Sequence, residues 1–297
     1  MKALLRNIAY SPLWATLHLV ALMPLRLLYG VSDVLYLIVY YVVRYRRRLV
    51  RANLQASFPD KTDEERLAIE RRFYRNFTDV FVETIKLLHI SDDEVRRRVV
   101  FEGTERVDRY VDKGKSVAIY AAHFCNWEWL SSITLWLKDS EGLCSQVYRP
   151  LRNQWFDEFY YRLRKRFHSE SIAKKEVLRT LLRIRRSGRC FVTGFISDQK
   201  PSHNDGHHHV EFLHQQTPFI TGTEMLLRKM GTAVMYFDIR RIRRGYYKVV
   251  LRPMFDDASK CAEYEITDAY ACVLEQAIRE QPDAWLWTHN RWRRRLN

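Results

Sequence analysis

The residues whose types and spacing could do chemistry lie in Ala121-Ala-His123-Phe-Cys-Asn-Trp-Glu128-Trp-Leu. An imidazole takes up a proton near neutral pH, and a neighbouring carboxylate fixes its tautomer and steadies the imidazolium that forms. The run before it, Ser116-Val-Ala-Ile-Tyr-Ala-Ala122, is short, apolar and preceded by the turn Lys113-Gly-Lys115, so it predicts a buried strand. His123 then stands just past a strand end, where α/β proteins carry functional groups. Asn126 can cap the next helix and put Glu128 in its first turn, from which the carboxylate reaches back to the His123 ring. Such a pair is equipped to deprotonate a hydroxyl for acyl transfer. No Ser occupies a nucleophile elbow, so direct transfer without an acyl-enzyme is the simpler mechanism.

The elements that must hold this pair alternate between strand and helix. Thr62-Asp-Glu-Glu65 is a capping box, and the helix after it carries Phe73, Phe77, Phe81, Ile85 and Leu88 at spacings of four and three. Strands are predicted over Val99–Glu102, Leu143–Tyr148, Cys190–Ile196, Thr232–Ile239 and Tyr247–Arg252, with a turn over Arg240–Gly245. Helices are predicted over Trp129–Leu137, Trp155–Phe167, Lys174–Arg186, Gly222–Met230 and Ile266–Glu280, and a polar loop over Lys200–His209. This order predicts an α/β fold with a central, mostly parallel sheet flanked by helices.

Ahead of that domain, Leu13–Val43 is mostly apolar, interrupted by Arg26 and Asp33 and weakened by Pro24 and Gly30. Leu27–Val43 is about 17 residues, the low end of what spans a bilayer. No small-residue cleavage site follows it; Arg44, Arg46, Arg47, Arg48 and Arg51 do, and such a flank lies on the cytoplasmic side and attracts anionic headgroups. We expect residues 1–48 to form a membrane anchor with its basic flank, and residues 49–297 a catalytic domain. A hydrophobic helical hairpin packed on the soluble domain is the other reading.

Across the chain, 50 Lys+Arg against 35 Asp+Glu leave a formal charge of +15, which favours anionic partners. The 17 Tyr, 15 Phe and 8 Trp suit a membrane interface as well as they suit single-stranded nucleic acid, but no nucleic-acid-binding module is recognisable. The five Cys include no C-x-x-C pair, which speaks against a disulfide framework or zinc knuckle. His203, His207, His208, His209 and His214 lie in or near a polar loop without paired acidic ligands, so no metal is expected, and no cofactor. The basic segments Arg162–Arg166, Arg183–Arg189, Arg240–Arg244 and Arg293–Arg295 suggest a surface facing lipid phosphates or an acidic carrier protein.

His123-x4-Glu128 looks like the H-x4-(D/E) motif of the glycerolipid acyltransferase superfamily. A wider pattern resembles the late lipid A acyltransferases, the lauroyl and myristoyl transferases that complete lipid A. Its pieces are Arg51-Ala-Asn53-Leu, Ser57-Phe-Pro59, Phe73-Tyr-Arg75, Tyr148-Arg149-Pro150, Ser197-Asp198-Gln199, Phe219-Ile-Thr-Gly-Thr223 and Pro282-x2-Trp285-x-Trp287-x-His289-x-Arg291-Trp292. The resemblance runs nearly end to end. It implies a catalytic face on the cytoplasmic side of the inner membrane, an acyl carrier protein thioester as donor, and an acceptor hydroxyl on a 3-hydroxyacyl chain of a phosphorylated glucosamine disaccharide. By position it implies His123 as general base and Glu128 as its partner. Arg149 would hold phosphate or support the oxyanion, Asp198 would organise the pocket behind the dyad, and Asn126 joins them on the substrate side. Trp127 and Trp129 stand where many members carry small or aliphatic residues, which would narrow the acyl groove. The competing functions are acyl transfer to another membrane lipid, such as a glycerophospholipid or aminolipid, and a non-enzymatic basic membrane-binding protein.

Overall fold

The protein is described here from a computed structural model, which covers residues 2–138, 144–203 and 205–293. The helices are α1 (Lys2–Leu22), α2 (Leu25–Leu37), α3 (Arg47–Ser57), α4 (Asp63–Lys86), α5 (Asp92–Arg98), α6 (Thr104–Asp112), α7 (Gln154–Lys165), α8 (Val177–Arg186), α9 (Gly222–Met230) and α10 (Glu265–Glu280). The strands are β1 (Val99–Glu102), β2 (Val117–Ala121), β3 (Cys144–Tyr148), β4 (Glu170–Ala173), β5 (Val192–Ile196), β6 (His207–Phe212), β7 (Gln215–Ile220), β8 (Ala233–Arg243) and β9 (Tyr246–Phe255).

Seven strands form one sheet in the order β1-β9-β8-β2-β5-β3-β4, in which every neighbouring pair except β8–β9 is parallel. Central β2 is buried at every position, which is why its sequence reads as an unbroken apolar run rather than an alternation. The expected α/β architecture is therefore the observed one. The capping box is also present: Glu65 N–H donates to the Thr62 hydroxyl at 3.2 Å, and Thr62 N–H to the Glu65 carboxylate at 2.7 Å.

Several segments differ from expectation: in the predicted turn over Arg240–Gly245, for one, β8 runs on to Arg243, leaving Arg244 and Gly245 before β9. Part of the polar loop is strand: β6 begins at His207 and pairs antiparallel with β7, covering the hydrophobic Phe212 and Phe219. The segment after His123 is a 3₁₀ helix over Trp127–Leu135 rather than an α-helix. The short strand β4 was not anticipated, because four residues carry too little periodicity to register. Of the predicted segments, Leu143, Asn204, Arg294 and Arg295 lie outside the described residues.

At the N-terminus, Pro24 separates α1 from α2, and α2 continues as a π-helical turn over Ile38–Val42. Leu25–Val42 is long and apolar enough to cross a membrane, with mean hydropathy 1.4. Yet Leu25, Leu28, Tyr36 and Tyr40 join the same core as Phe73, Tyr74 and Val82 of α4. Ser32 donates to Asp79 of α4 at 2.7 Å, and the Lys86 ammonium donates to the Ala21 and Met23 carbonyls at 2.9 Å, closing the end of α1. Helices α2 and α4, on either side of the division expected at residue 48, thus share a core. The face of α2 turned from α4, with Leu27, Val34 and Leu37, is exposed.

Candidate active site

β2 and β5 are neighbours, with Ala121 and Ile196 paired in register at their C-terminal ends. Two residues beyond each lie His123 and Asp198, so the register alone sets them side by side. The Ser197 N–H to Ala121 carbonyl bond, 3.2 Å, carries the pairing past the strand ends. His123 Nδ1 and Asp198 Oδ1 are 2.7 Å apart. Arg149 follows β3, the other neighbour of β5. All three therefore emerge at the crevice beyond the carboxyl ends of adjacent parallel strands, where open α/β sheets bind ligands.

Asp198 is buried, and burial pushes its carboxyl pKa up. The facing His123 ring, together with hydrogen bonds from His123 and from Trp285 Nε1 at 2.9 Å, outweighs burial and holds the pKa below the usual carboxylate value. An ionised Asp198 accepts a proton bond from Nδ1 and so selects the tautomer in which Nε2 carries the lone pair. Nε2 has the amide nitrogen of Gln199 3.3 Å away, and both side chains line a cavity of about 940 Å³. The C-terminal segment braces this arrangement from behind. Leu286 N–H donates to the His123 carbonyl (3.1 Å), and Cys125 N–H to the Ala284 carbonyl (2.8 Å). Asn53 of α3 donates its amide to the Trp287 carbonyl at 3.0 Å. Arg291, buried over the Phe219 ring at 4.8 Å, is pushed down to about 10 by burial, against the opposing pull of Asp198.

Glu128 is placed differently from the expected pair. Its carboxylate is gripped by Arg164 of α7, with Nε to Oε2 at 2.9 Å and Nη2 to Oε1 at 2.8 Å, and receives Trp127 Nε1 at 3.2 Å. Among the described residues the carboxylate bonded to His123 is Asp198. The reason is local: Cys125 takes φ 51° and the chain then enters a 3₁₀ turn, whose tighter winding carries Glu128 away from the ring. Asn126 also departs from its expected role. It is fully buried, makes no side-chain cap, and donates to Glu83 at 2.7 Å, so it stands behind the site rather than on its substrate side. Trp129, equally buried, donates Nε1 to the Glu83 carbonyl at 3.1 Å and lines no groove; Trp127 does line the cavity and meets the His123 ring at 5.1 Å.

Ile119, Leu130, Ile133, Phe195 and Phe237 give the cavity an apolar interior, while Arg149, Arg152, Lys174 and Lys200 make its rim basic. Arg149 is exposed there, with no protein partner among the described residues. Among the described residues no group of three or more His, Cys, Asp or Glu could hold a metal ion; His208 instead pairs with Asp268 at 3.0 Å and stacks on Tyr264. Sequence reasoning missed Arg164, which it read as one residue of a basic segment facing lipid phosphates or an acidic carrier protein. Only the alternation of Tyr160 and Leu163 with the basic residues along α7 hinted that one arginine faces inward.

The family model of the bacterial lipid A biosynthesis acyltransferases matches residues 4–294 of this chain. The chain belongs to this family. It is 24% identical over 261 residues to the lipid A biosynthesis palmitoleoyltransferase of Escherichia coli (strain K12), covering 85% of this chain and 80% of that one. It is 24% identical over 268 residues to the lauroyltransferase of the same organism, covering 85% and 81%. It is 20% identical over 246 residues to the myristoyltransferase, covering 81% and 73%. The acyltransferase is thus similar to enzymes named for three different acyl chains.

Proposed function

We propose that this acyltransferase moves a fatty-acyl chain from an acyl carrier protein thioester to a hydroxyl of a phosphorylated lipid A precursor. The observation that carries the reading is the 2.7 Å contact between His123 and Asp198 at a cavity with an apolar interior and a basic rim. Asp198 holds Nδ1–H, leaving Nε2 to take the proton of the acceptor hydroxyl. The alkoxide oxygen attacks the thioester carbonyl, the C–O bond forms, the C–S bond breaks, and the proton passes from Nε2 to the leaving thiolate. The hydrocarbon tail lies against the apolar interior, where burial favours it by about 0.8 kcal/mol per CH₂. Arg149 and its basic neighbours receive acceptor phosphate through charge-assisted bonds.

Glu128 acts through Arg164 in this reading. The pair ties the 3₁₀ segment to α7, and both side chains line the cavity that His123 also lines. The exposed apolar face of α2 rests on the cytoplasmic face of the inner membrane, which brings the cavity to a lipid acceptor.

The test is purified full-length enzyme in detergent, with one acyl carrier protein thioester and three acceptors: the phosphorylated precursor, its dephosphorylated form, and a glycerophospholipid. Mass spectrometry should find the acyl group on the precursor, with a large loss of kcat/KM when the phosphates are removed. Equal rates with and without phosphate, or preferred transfer to the glycerophospholipid, would reassign the acceptor.

A further inference from the structure

A second basic cleft opens away from the catalytic cavity. It has a volume of about 610 Å³, lies between α2, α4 and the β8–β9 turn, and shares no lining residue with the cavity at His123. Four arginines and three aspartates line it. The aspartates are already matched. Arg241 holds Asp79 at 2.6 Å, and Arg244 holds both Asp33 and Asp79 at 2.7 Å. Asp283 receives the Asn76 amide at 2.9 Å and faces Arg72 at 3.8 Å.

Arg75 and Arg243 are left over. Arg75 lies over the Tyr36 ring at 5.1 Å and Arg243 over the Tyr246 ring at 3.8 Å, and neither has a carboxylate partner among the described residues. Stacking on a ring face fixes a guanidinium in space while leaving its N–H edge for a ligand. The Tyr36 hydroxyl lies buried on the same cleft. The surroundings are apolar and exposed: Leu37 on α2 is 53% exposed at the cleft itself, and Ile242, between the arginines of the turn, is 64% exposed. Exposed apolar side chains beside unpaired arginines suit the boundary between acyl chains and headgroups.

We propose that this cleft seats the phosphate of an anionic phospholipid headgroup, with Arg75 and Arg243 as its ligands and the exposed face of α2 laid into the acyl boundary beside it. The site is separate from catalysis and sets how the enzyme sits on the bilayer. It rests on the reading of α2 as lipid-facing, and zwitterionic vesicles test that reading by itself.

The experiment measures co-sedimentation of the purified full-length enzyme with phosphatidylcholine vesicles and with vesicles that also contain phosphatidylglycerol, at fixed salt. Variants are Arg75→Gln/Arg243→Gln and, as a control with equal loss of charge, Arg183→Gln/Arg185→Gln on α8. Each arginine at an anionic surface is worth about fivefold in partitioning, so the cleft variant should lose on the order of twentyfold on phosphatidylglycerol and little on phosphatidylcholine. Arg243→Lys keeps the charge but loses the planar fork stacked on Tyr246, so it should retain only part of the binding, and thermal melts should show each variant folded. An equal loss in the α8 control would reduce the effect to bulk charge and overturn the proposal. Wild-type binding that ignores phosphatidylglycerol would overturn the headgroup site alone, and binding to neither vesicle would overturn the α2 reading with it. Stabilisation by inorganic phosphate without vesicles, lost in the cleft variant, would assign the site to a soluble phosphate instead.

Discussion

At the scale of single residues, the histidine's competence depends on what its other nitrogen touches. His123→Ala removes the proposed base from a partly exposed position, so we expect transfer to fall by about 10²–10⁴ with the melting curve little changed. Asp198→Asn should cost a comparable factor by a different route. The amide can still accept from Trp285, but it no longer favours the tautomer with a free Nε2 or stabilises the imidazolium. The same substitution has a signature in stability. Because the folded pKa of Asp198 is depressed, its contribution is present above the unfolded carboxylate value and is lost as pH falls through the folded one. The stability difference between wild type and Asp198→Asn should therefore shrink in acid; a constant difference down to low pH would contradict the ionised pair. Trp285→Phe leaves Asp198 Oδ2 buried without its donor, a loss of about 1–3 kcal/mol. With Trp285 acting through Asp198, kcat should fall with KM retained, and the pH–rate profile should shift; an unchanged profile would make Trp285 packing alone.

At the scale of elements, every strand of the seven-stranded sheet but β4 was legible, and the spacing between His123 and Glu128 was misleading for one reason. A buried parallel strand announces itself as a short apolar run, whereas contact across an element depends on how the turn after it winds. H-x4-E would meet within an α-helical first turn; the left-handed Cys125 and the 3₁₀ segment send Glu128 to α7 instead. Asp198 lies 75 positions from His123 and meets it only because β5 is the neighbour of β2, an order that no local pattern encodes. The motif Ser197-Asp198-Gln199 pointed to the right residue through resemblance without saying what it touched. The Glu128–Arg164 tie gives a double-variant test. Glu128→Gln strands a largely buried guanidinium and should cost on the order of 3 kcal/mol, which a second change, Arg164→Met, should largely restore. We expect activity to stay low in the double variant because the cavity wall has lost its charges. Full recovery of both stability and kcat would reduce Glu128 to a structural tie.

At the scale of the whole molecule, the N-terminal segment is part of the core and, in the function proposed above, a surface for lipid, and these two roles predict opposite results from two manipulations. One face of α2 is committed to α4 through Leu25, Leu28 and Tyr36, and Asp33 receives Arg244 from the β8–β9 turn. Removing residues 1–43 therefore uncovers the core along α4 and takes away a partner of Arg244, so the truncated chain should aggregate rather than appear as a clean soluble domain. Leu27, Val31 and Val34 point the other way, each exposed. Changing these three to Gln touches no core contact and should leave the melting temperature nearly unaltered. Each forgoes about 1 kcal/mol of burial on entering the acyl boundary, and together they should weaken partitioning on the order of a hundredfold. Flotation on zwitterionic vesicles reads that loss without interference from headgroup charge. If the triple variant floats as well as wild type while the truncation is soluble and monomeric, then α2 is an ordinary core helix and the lipid-facing surface must be sought elsewhere on the sheet or its hairpin.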